Sequence, residues 1–377
     1  MRKPMVYISA TVVVVGIGVG GWYLFQNSQS ETNTNTNQQT LAEYHDKLVY
    51  IKETIDDVTD SYDIYLADTN GSSELIHSFT NPPHLGSTMF LIYGDDQIFA
   101  FRYQDDETRK IINYDGTVMD TDLPLDYDFA LSNDQYRVSY PAPDLIDNDS
   151  KLVIYDVQSG TGREYDAHME GGFGVPGHLR PVAWSPDDST VYADVVLYTE
   201  GCLDGLYEVN PITGATKAIP VFDELNICVP TVYPKRDLAF GFDRNLSPMG
   251  DEEIDVDITY YKVKLSDGTY STLNLATPTY YGEFLLAPSQ DLIAYADNDF
   301  NTWITDLSGE NAVLATEGTP VAWSNNNLLA IDEDSITDDH EEVINIYDPV
   351  TQTVQEIVKT AGFDDRLEVI GWIRVPE

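Results

Sequence analysis

Three pairs of aspartates two residues apart, Asp147 with Asp149, Asp297 with Asp299 and Asp332 with Asp334, offer the oxygen-only donor set that a hard cation takes. They make Ca²⁺ the metal to expect, against a competing reading as plain solvated loops. None matches the EF-hand loop, whose sixth-position Gly and twelfth-position Glu are absent. The glycine-rich stretch Gly171-Gly-Phe-Gly-Val-Pro-Gly-His178 reads as a long flexible loop that carries Phe173 and His178 toward a ligand or simply connects two strands.

Covalent and cofactor chemistry finds no support. There is no G-x-S-x-G elbow, no P-loop and no dinucleotide fingerprint outside the apolar N-terminal run, where Gly16, Gly18 and Gly20 suit helix packing. The 6 histidines are scattered, with no zinc-ligand spacing. Carboxylates are so numerous that an acid–base pair cannot be singled out by spacing. The chain therefore reads as a non-enzyme, with an exported hydrolase or lyase as the alternative.

The charge balance excludes one class of partner. With 64 Asp and Glu against 20 Lys and Arg, the formal net charge is -44, which repels phosphate backbones and excludes nucleic acid. Such a field attracts cations and basic surfaces; adaptation to salt, or plain solubility, is the alternative.

These residues need a compartment. Arg2 and Lys3 precede an uncharged run from Met5 to Phe25 that would span roughly 31 Å as a helix, the thickness of a bilayer core. It ends in Trp22, Tyr23 and Phe25, which suit the membrane interface, and the cations before it favour an inside N-terminus. We expect residues 1–4 as a cytoplasmic stub, 5–25 as a transmembrane signal anchor, 26–40 as a flexible polar linker and 41–377 as the folded domain outside, at the cell surface or in the periplasm. A signal peptide cut near Gly18 to Gly21 is the alternative. In either case an oxidising exterior favours a disulfide between Cys202 and Cys228 over two free thiols.

The positioning elements come from an internal repeat. Pro181-Val-Ala-Trp-Ser-Pro-Asp-Asp-Ser-Thr-Val-Tyr-Ala193 and Pro320-Val-Ala-Trp-Ser-Asn-Asn-Asn-Leu-Leu-Ala330 each read as strand, polar turn, strand. Looser copies run over 90–101, 129–140, 232–242 and 284–295, each followed by an acidic loop and two more strands. Four strands at a period of roughly 37 to 53 residues predict the blades of a β-propeller. The first blade lacks its first strand, and residues 367–375, with Trp372 in the tryptophan position, supply it. The fold class is thus all-β: a monomeric seven-bladed propeller of four-stranded blades, closed by the C-terminal strand in the first blade, behind an N-terminal transmembrane helix.

Val182-Ala-Trp-Ser-Pro-Asp-Asp188 resembles the W-S-P-D-G signature of TolB-type and dipeptidyl-peptidase-type propeller repeats, relatives of WD-type propellers. The resemblance implies packing roles for Trp184, Trp323 and Trp372 and a turn at Pro186-Asp187-Asp188, where Asp188 replaces the usual Gly. It implies a fold and brings no active site. The expected function is a membrane-anchored binding or scaffold module for a protein, peptide or glycan, with a cationic partner meeting an acidic rim formed by the loops between second and third strands.

Overall fold

The computed structural model describes residues 44–376 apart from 56–59, 82–87, 103–104, 122, 124–128, 142–150, 167–168, 171–175, 198–202, 226, 245–257, 280–283, 335–340 and 361–364. Strand-forming residues dominate it, because Val, Ile, Thr and aromatic side chains suit pleated surfaces buried on both faces. All strand pairings are antiparallel, as short sequential hairpins dictate.

Blade 1 orders β29 (Asp365–Pro376), β1 (Tyr44–Ile55), β2 (Asp60–Ala67) and β3 (Ser73–Asn81). Blade 2 holds β4 (Thr88–Tyr93), β5 (Gln97–Arg102), β6 (Asp105–Asn113) and β7 (Val118–Asp120). Blade 3 holds β8 (Ala130–Leu131), β9 (Arg137–Pro141), β10 (Lys151–Asp156) and β11 (Thr161–Asp166). In blade 4, β13 (Pro176–Trp184), β14 (Val191–Leu197), β15 (Leu203–Val209) and β16 (Thr216–Ala218) gain an added strand, β12 (Met169–Glu170).

A short helix, α1 (Pro220–Glu224), leads to blade 5, with β17 (Ile227–Tyr233), β18 (Leu238–Arg244), β19 (Ile258–Lys264) and β20 (Tyr270–Thr272). Blade 6 holds β21 (Leu285–Leu286), β22 (Leu292–Ala296), β23 (Asn301–Asp306) and β24 (Val313–Glu317). Blade 7 holds β25 (Thr319–Trp323), β26 (Leu329–Asp334), β27 (Glu342–Asp348) and β28 (Thr353–Lys359).

The closing strand falls where the sequence places it. β29 pairs along β1 with Leu48 opposite Trp372 and Tyr50 opposite Val369, broken by one bulge between Val49 and Tyr50. Tyr50 in turn stacks on Tyr65 with ring centroids 5.0 Å apart. Leu48, Tyr50, Leu367, Val369 and Trp372 join Val321, Ile344 and Ile346 of blade 7 in one apolar cluster.

The chain divides into two compact units. One comprises Leu125–Phe284 and Thr305–Val313, and so contains blades 3, 4 and 5. The other comprises, among the described residues, 44–124, Leu285–Ile304 and 314–376, with blades 1, 2 and 7 and blade 6 apart from the end of β23 and the turn after it. Among the described residues no helix is long and apolar enough to cross a membrane; residues 5–25 lie outside the described residues, as does the linker at 26–40.

Each blade-packing tryptophan is buried and spends its indole N–H on a backbone carbonyl of another blade. Trp184 donates to Ala130 at 3.0 Å, Trp323 to Leu285 at 2.9 Å and Trp372 to Ala322 at 3.2 Å. All three acceptors lie on first strands at the repeat position just before the tryptophan's, as Ala322 precedes Trp323. The ring thus fills a gap between sheets while its one polar atom is satisfied.

The turn after Trp184 shows why Asp188 stands where the repeat usually has Gly. Its backbone is left-handed, with φ 55°, and its amide donates to the Ser185 carbonyl at 2.9 Å to close the turn. The carboxylate offsets the steric cost by accepting from Asn133 N at 2.7 Å, Asn133 Nδ2 at 2.8 Å and Asp134 N at 3.0 Å in blade 3. Asn327 occupies the same position in blade 7, with φ 59°, and its Nδ2 donates to the Ser289 hydroxyl at 2.6 Å. The turn is as tight as a glycine turn, and the side chain ties it to the blade before.

Candidate functional site

The aspartates named as candidate calcium ligands, or as plain solvated loops, meet different fates. Asp147 and Asp149 lie outside the described residues. Asp297 is buried, and its Oδ1 accepts from the backbone amides of Asp299 and Asn301, both at 2.9 Å, while its Oδ2 accepts from Trp303 Nε1 at 2.8 Å. Burial opposes its charge, but the bonds from Asn301, Trp303 and Asp299 prevail and hold the carboxyl below the ordinary range. This carboxylate is the hub of the turn between β22 and β23. Asp299 offers its amide to that hub.

Asp332 sits at the end of β26, where its Oδ2 accepts the Val369 amide of β29 at 3.4 Å, and the Asp334 side chain lies outside the described residues. Among the described residues no group of three or more His, Cys, Asp or Glu is placed to hold a metal ion.

The glycine-rich connector is more ordered at its end than a long flexible loop would be. Residues 176–178 begin β13, where Gly177 pairs with Met169 of β12 and His178 with Val196 of β14. Phe173 and the His178 side chain lie outside the described residues. Cys202 does too, as does the side chain of Cys228, whose backbone pairs with Phe242 in blade 5.

What the described residues do bring together is a set of carboxylates at one end of blades 7 and 1. The amides of Leu367 and Val369, on β29, donate to Glu342 of β27 and Asp332 of β26. These two acids satisfy N–H groups that β1, on the other edge of β29, does not take. Beside them Lys52 pairs with Asp365 at 2.8 Å, and Thr54 donates to Asp365 at 2.8 Å. The bond and charge of Lys52 hold the Asp365 carboxyl below its ordinary value.

On the other face of the same strand pair, Glu368 lies opposite Ile51 and Glu53 opposite Arg366, so Glu53 and Glu368 are diagonal neighbours. The Glu368 side chain is exposed on β29 but partly desolvated by the protein along that face. That environment first, and the charge of Glu53 second, push its carboxyl up to about 7. Away from this strand pair, Glu333 of blade 7 is raised by burial and by the charge of Glu317 in blade 6, against a 3.0 Å bond from Asn345 Nδ2.

Sequence spacing singled out Asp332 here but not Glu53, Glu342 or Glu368. Register alone does not reveal it: counted from Trp372 opposite Leu48, alternation would set Glu368 opposite Lys52, and the bulge between Val49 and Tyr50 is what brings Glu368 and Glu53 to one face.

No protein family and no curated relative match the chain in sequence. Solved structures do. A putative 6-phosphogluconolactonase from Bacteroides fragilis matches over 91% of this chain and 100% of its own, at 11% identity and a TM-score of 0.51. The fold is a seven-bladed β-propeller. An oligogalacturonate lyase in complex with manganese matches 73% of this propeller and 75% of its own chain, at 10% identity and a TM-score of 0.46. The β-propeller domain of the Trilobed protease from Pyrococcus furiosus matches 83% and 86%, at 11% identity and a TM-score of 0.41. At such identities the likeness is one of fold, and propellers carry many functions.

Proposed function

We propose that this propeller is a binding module, held outside the cell by the apolar segment 5–25, whose acidic end at blades 7 and 1 takes a cationic segment of a protein or peptide partner. The observation that carries the reading is the set of acids Asp332, Glu342, Glu53 and Glu368 along the start of β29. Like charges held together by the fold create a field that a Lys- or Arg-rich segment relieves. Titrating the full-length protein with a lysine-rich peptide at low and high salt tests it. Binding should weaken steeply with salt and fall further in E53Q/E342Q; equal binding of an acidic peptide of the same length would sink the reading.

A second reading, an exported hydrolase or lyase, draws on Glu368. A carboxyl that titrates near pH 7 beside another carboxyl has the tuning a general acid or base needs. Assay against a panel of glycosides and uronate polymers separates the two: turnover lost in E368Q supports catalysis, and peptide binding without turnover supports the module.

A further inference from the structure

Building on the binding reading above, we propose that Phe300, in the turn between β22 and β23 of blade 6, is the aromatic contact for an arginine side chain of the cationic partner segment, with Glu317 and Glu333 flanking it.

The first observation is the backbone of Phe300. Among the described residues seven non-glycine positions have a positive φ, and six of them are Asn, Asp or Gln. Polar side chains of this kind offset a left-handed backbone by hydrogen bonding, as Asp188 and Asn327 do. Phe300 is the seventh, at φ 59°, and a phenyl ring has no hydrogen bond to offer. The turn imposes the conformation: the Phe300 amide donates to the Asp297 carbonyl at 3.1 Å, and the Asp297 carboxylate holds the amides of Asp299 and Asn301. Glycine closes such a turn without the cost, so a bulky apolar residue kept there points to a use for its ring.

The second observation is where the turn is fastened. The Gly318 amide donates to the Phe300 carbonyl at 2.7 Å, and Thr302 Oγ1 donates to the Gly318 carbonyl at 2.7 Å, so the turn is strapped to the link between β24 and β25. Gly318 in turn lies tight on β26. At its φ of 106° a Cβ would stand 2.7 Å from the Asp332 carbonyl and 2.9 Å from Ile331 Cγ2. Phe300 is therefore fixed beside the exposed Glu317, whose charge acts on Glu333 of β26. Lys359, whose charge also reaches Glu333, is paired with Glu341 at 2.5 Å.

Phe300 itself is partly exposed. An aromatic face beside two carboxylates suits a guanidinium, which stacks flat on a ring and pairs with carboxylate oxygens at its edge.

Titration of the full-length protein with a peptide of alternating Arg and Gly, beside a copy with citrulline in place of Arg, tests the assignment. The Arg peptide should bind and the citrulline peptide should not. F300L, which keeps apolar bulk without a ring, and F300N should each weaken the Arg peptide by roughly two- to five-fold, whereas F300W should bind at least as well as the wild type. The urea midpoint of F300N should equal or exceed that of the wild type, because Asn tolerates the left-handed backbone. Undiminished binding by F300L or F300N, with E53Q/E342Q still weakening the peptide, would overturn the role of Phe300 and leave the binding reading standing. So would an F300N midpoint well below the wild type, since the ring is then kept for packing. An Arg peptide that fails to bind the wild type, or a citrulline peptide that binds equally, overturns both.

Discussion

The indole of Trp372 donates to the carbonyl of Ala322, so the last strand of the chain is pinned to blade 7 by the same bond that Trp184 and Trp323 make elsewhere. Trp372→Phe keeps most of the buried ring and loses the bond, which should cost about 1 kcal/mol, whereas Trp372→Ala should cost about 3 to 5 kcal/mol. Urea denaturation midpoints of the two variants measure both. An equal loss for the two would mean that the hydrogen bond, not the ring, carries the contact.

Asp188 predicts a substitution effect opposite to the usual one for a left-handed residue. Asp188→Gly relieves the strain at φ 55° but orphans the amides of Asn133 and Asp134 that its carboxylate satisfies. We expect a net loss of about 1 to 2 kcal/mol, because unsatisfied donors outweigh a left-handed backbone. Thermal or urea unfolding of the single variant is sufficient, and a gain in stability would contradict it.

The turns between third and fourth strands give opposite signs at one repeat position. Gly214 has φ 72°, and a Cβ there would overlap the Tyr165 ring, so Gly214→Ala should destabilise by more than about 1 kcal/mol. Blade 7 carries Gln352 at the corresponding position with φ 54°. Gln352→Gly should therefore be neutral or stabilising, by up to about 1 kcal/mol. Comparing the two unfolding curves shows whether the repeat tolerates the exchange.

Acid should loosen the start of β29, where Asp365 meets Lys52. Asp365 is held below its ordinary value chiefly by the bond from Lys52, so its contribution is present above the unfolded carboxyl value and is lost as pH falls through the lower folded one. Asp365→Asn should flatten the acid limb of a stability–pH curve below about pH 4 while leaving the limb near neutrality unchanged. A change confined to neutral pH would assign the effect to other groups.

The proposed Cys202–Cys228 bridge would close a loop of about 27 residues and contribute ~3 kcal/mol in the chain-entropy model. Intact protein alkylated without reductant should show no added mass, and with reductant two additions. Alkylation of both thiols without reductant would leave two free cysteines.

The architecture was legible because it is repeated. Strand, turn and strand recur around Trp184 and Trp323, and the missing first strand of blade 1 points to Trp372, so the count and the closure follow from the sequence alone. The added strand β12 was hidden because glycines follow it directly and it pairs over only two residues, Met169 and Glu170. The site was less legible. With 64 acids in the chain, a D-x-D spacing cannot distinguish a metal ligand from Asp297, whose oxygens serve a turn. Glu368 matters through its diagonal relation to Glu53, a pairing that depends on register between segments more than 300 residues apart.

Uniting β29 with β1 also sets an order of events. The sheet that begins first among the blades during synthesis is the one completed last, since β1 waits for β29 to leave the ribosome. Until then one long edge of β1 stands bare, a template for pairing with any other extended chain. Nonsense mutations that remove only residues 365–377 should for this reason yield aggregates rather than a slightly shortened protein.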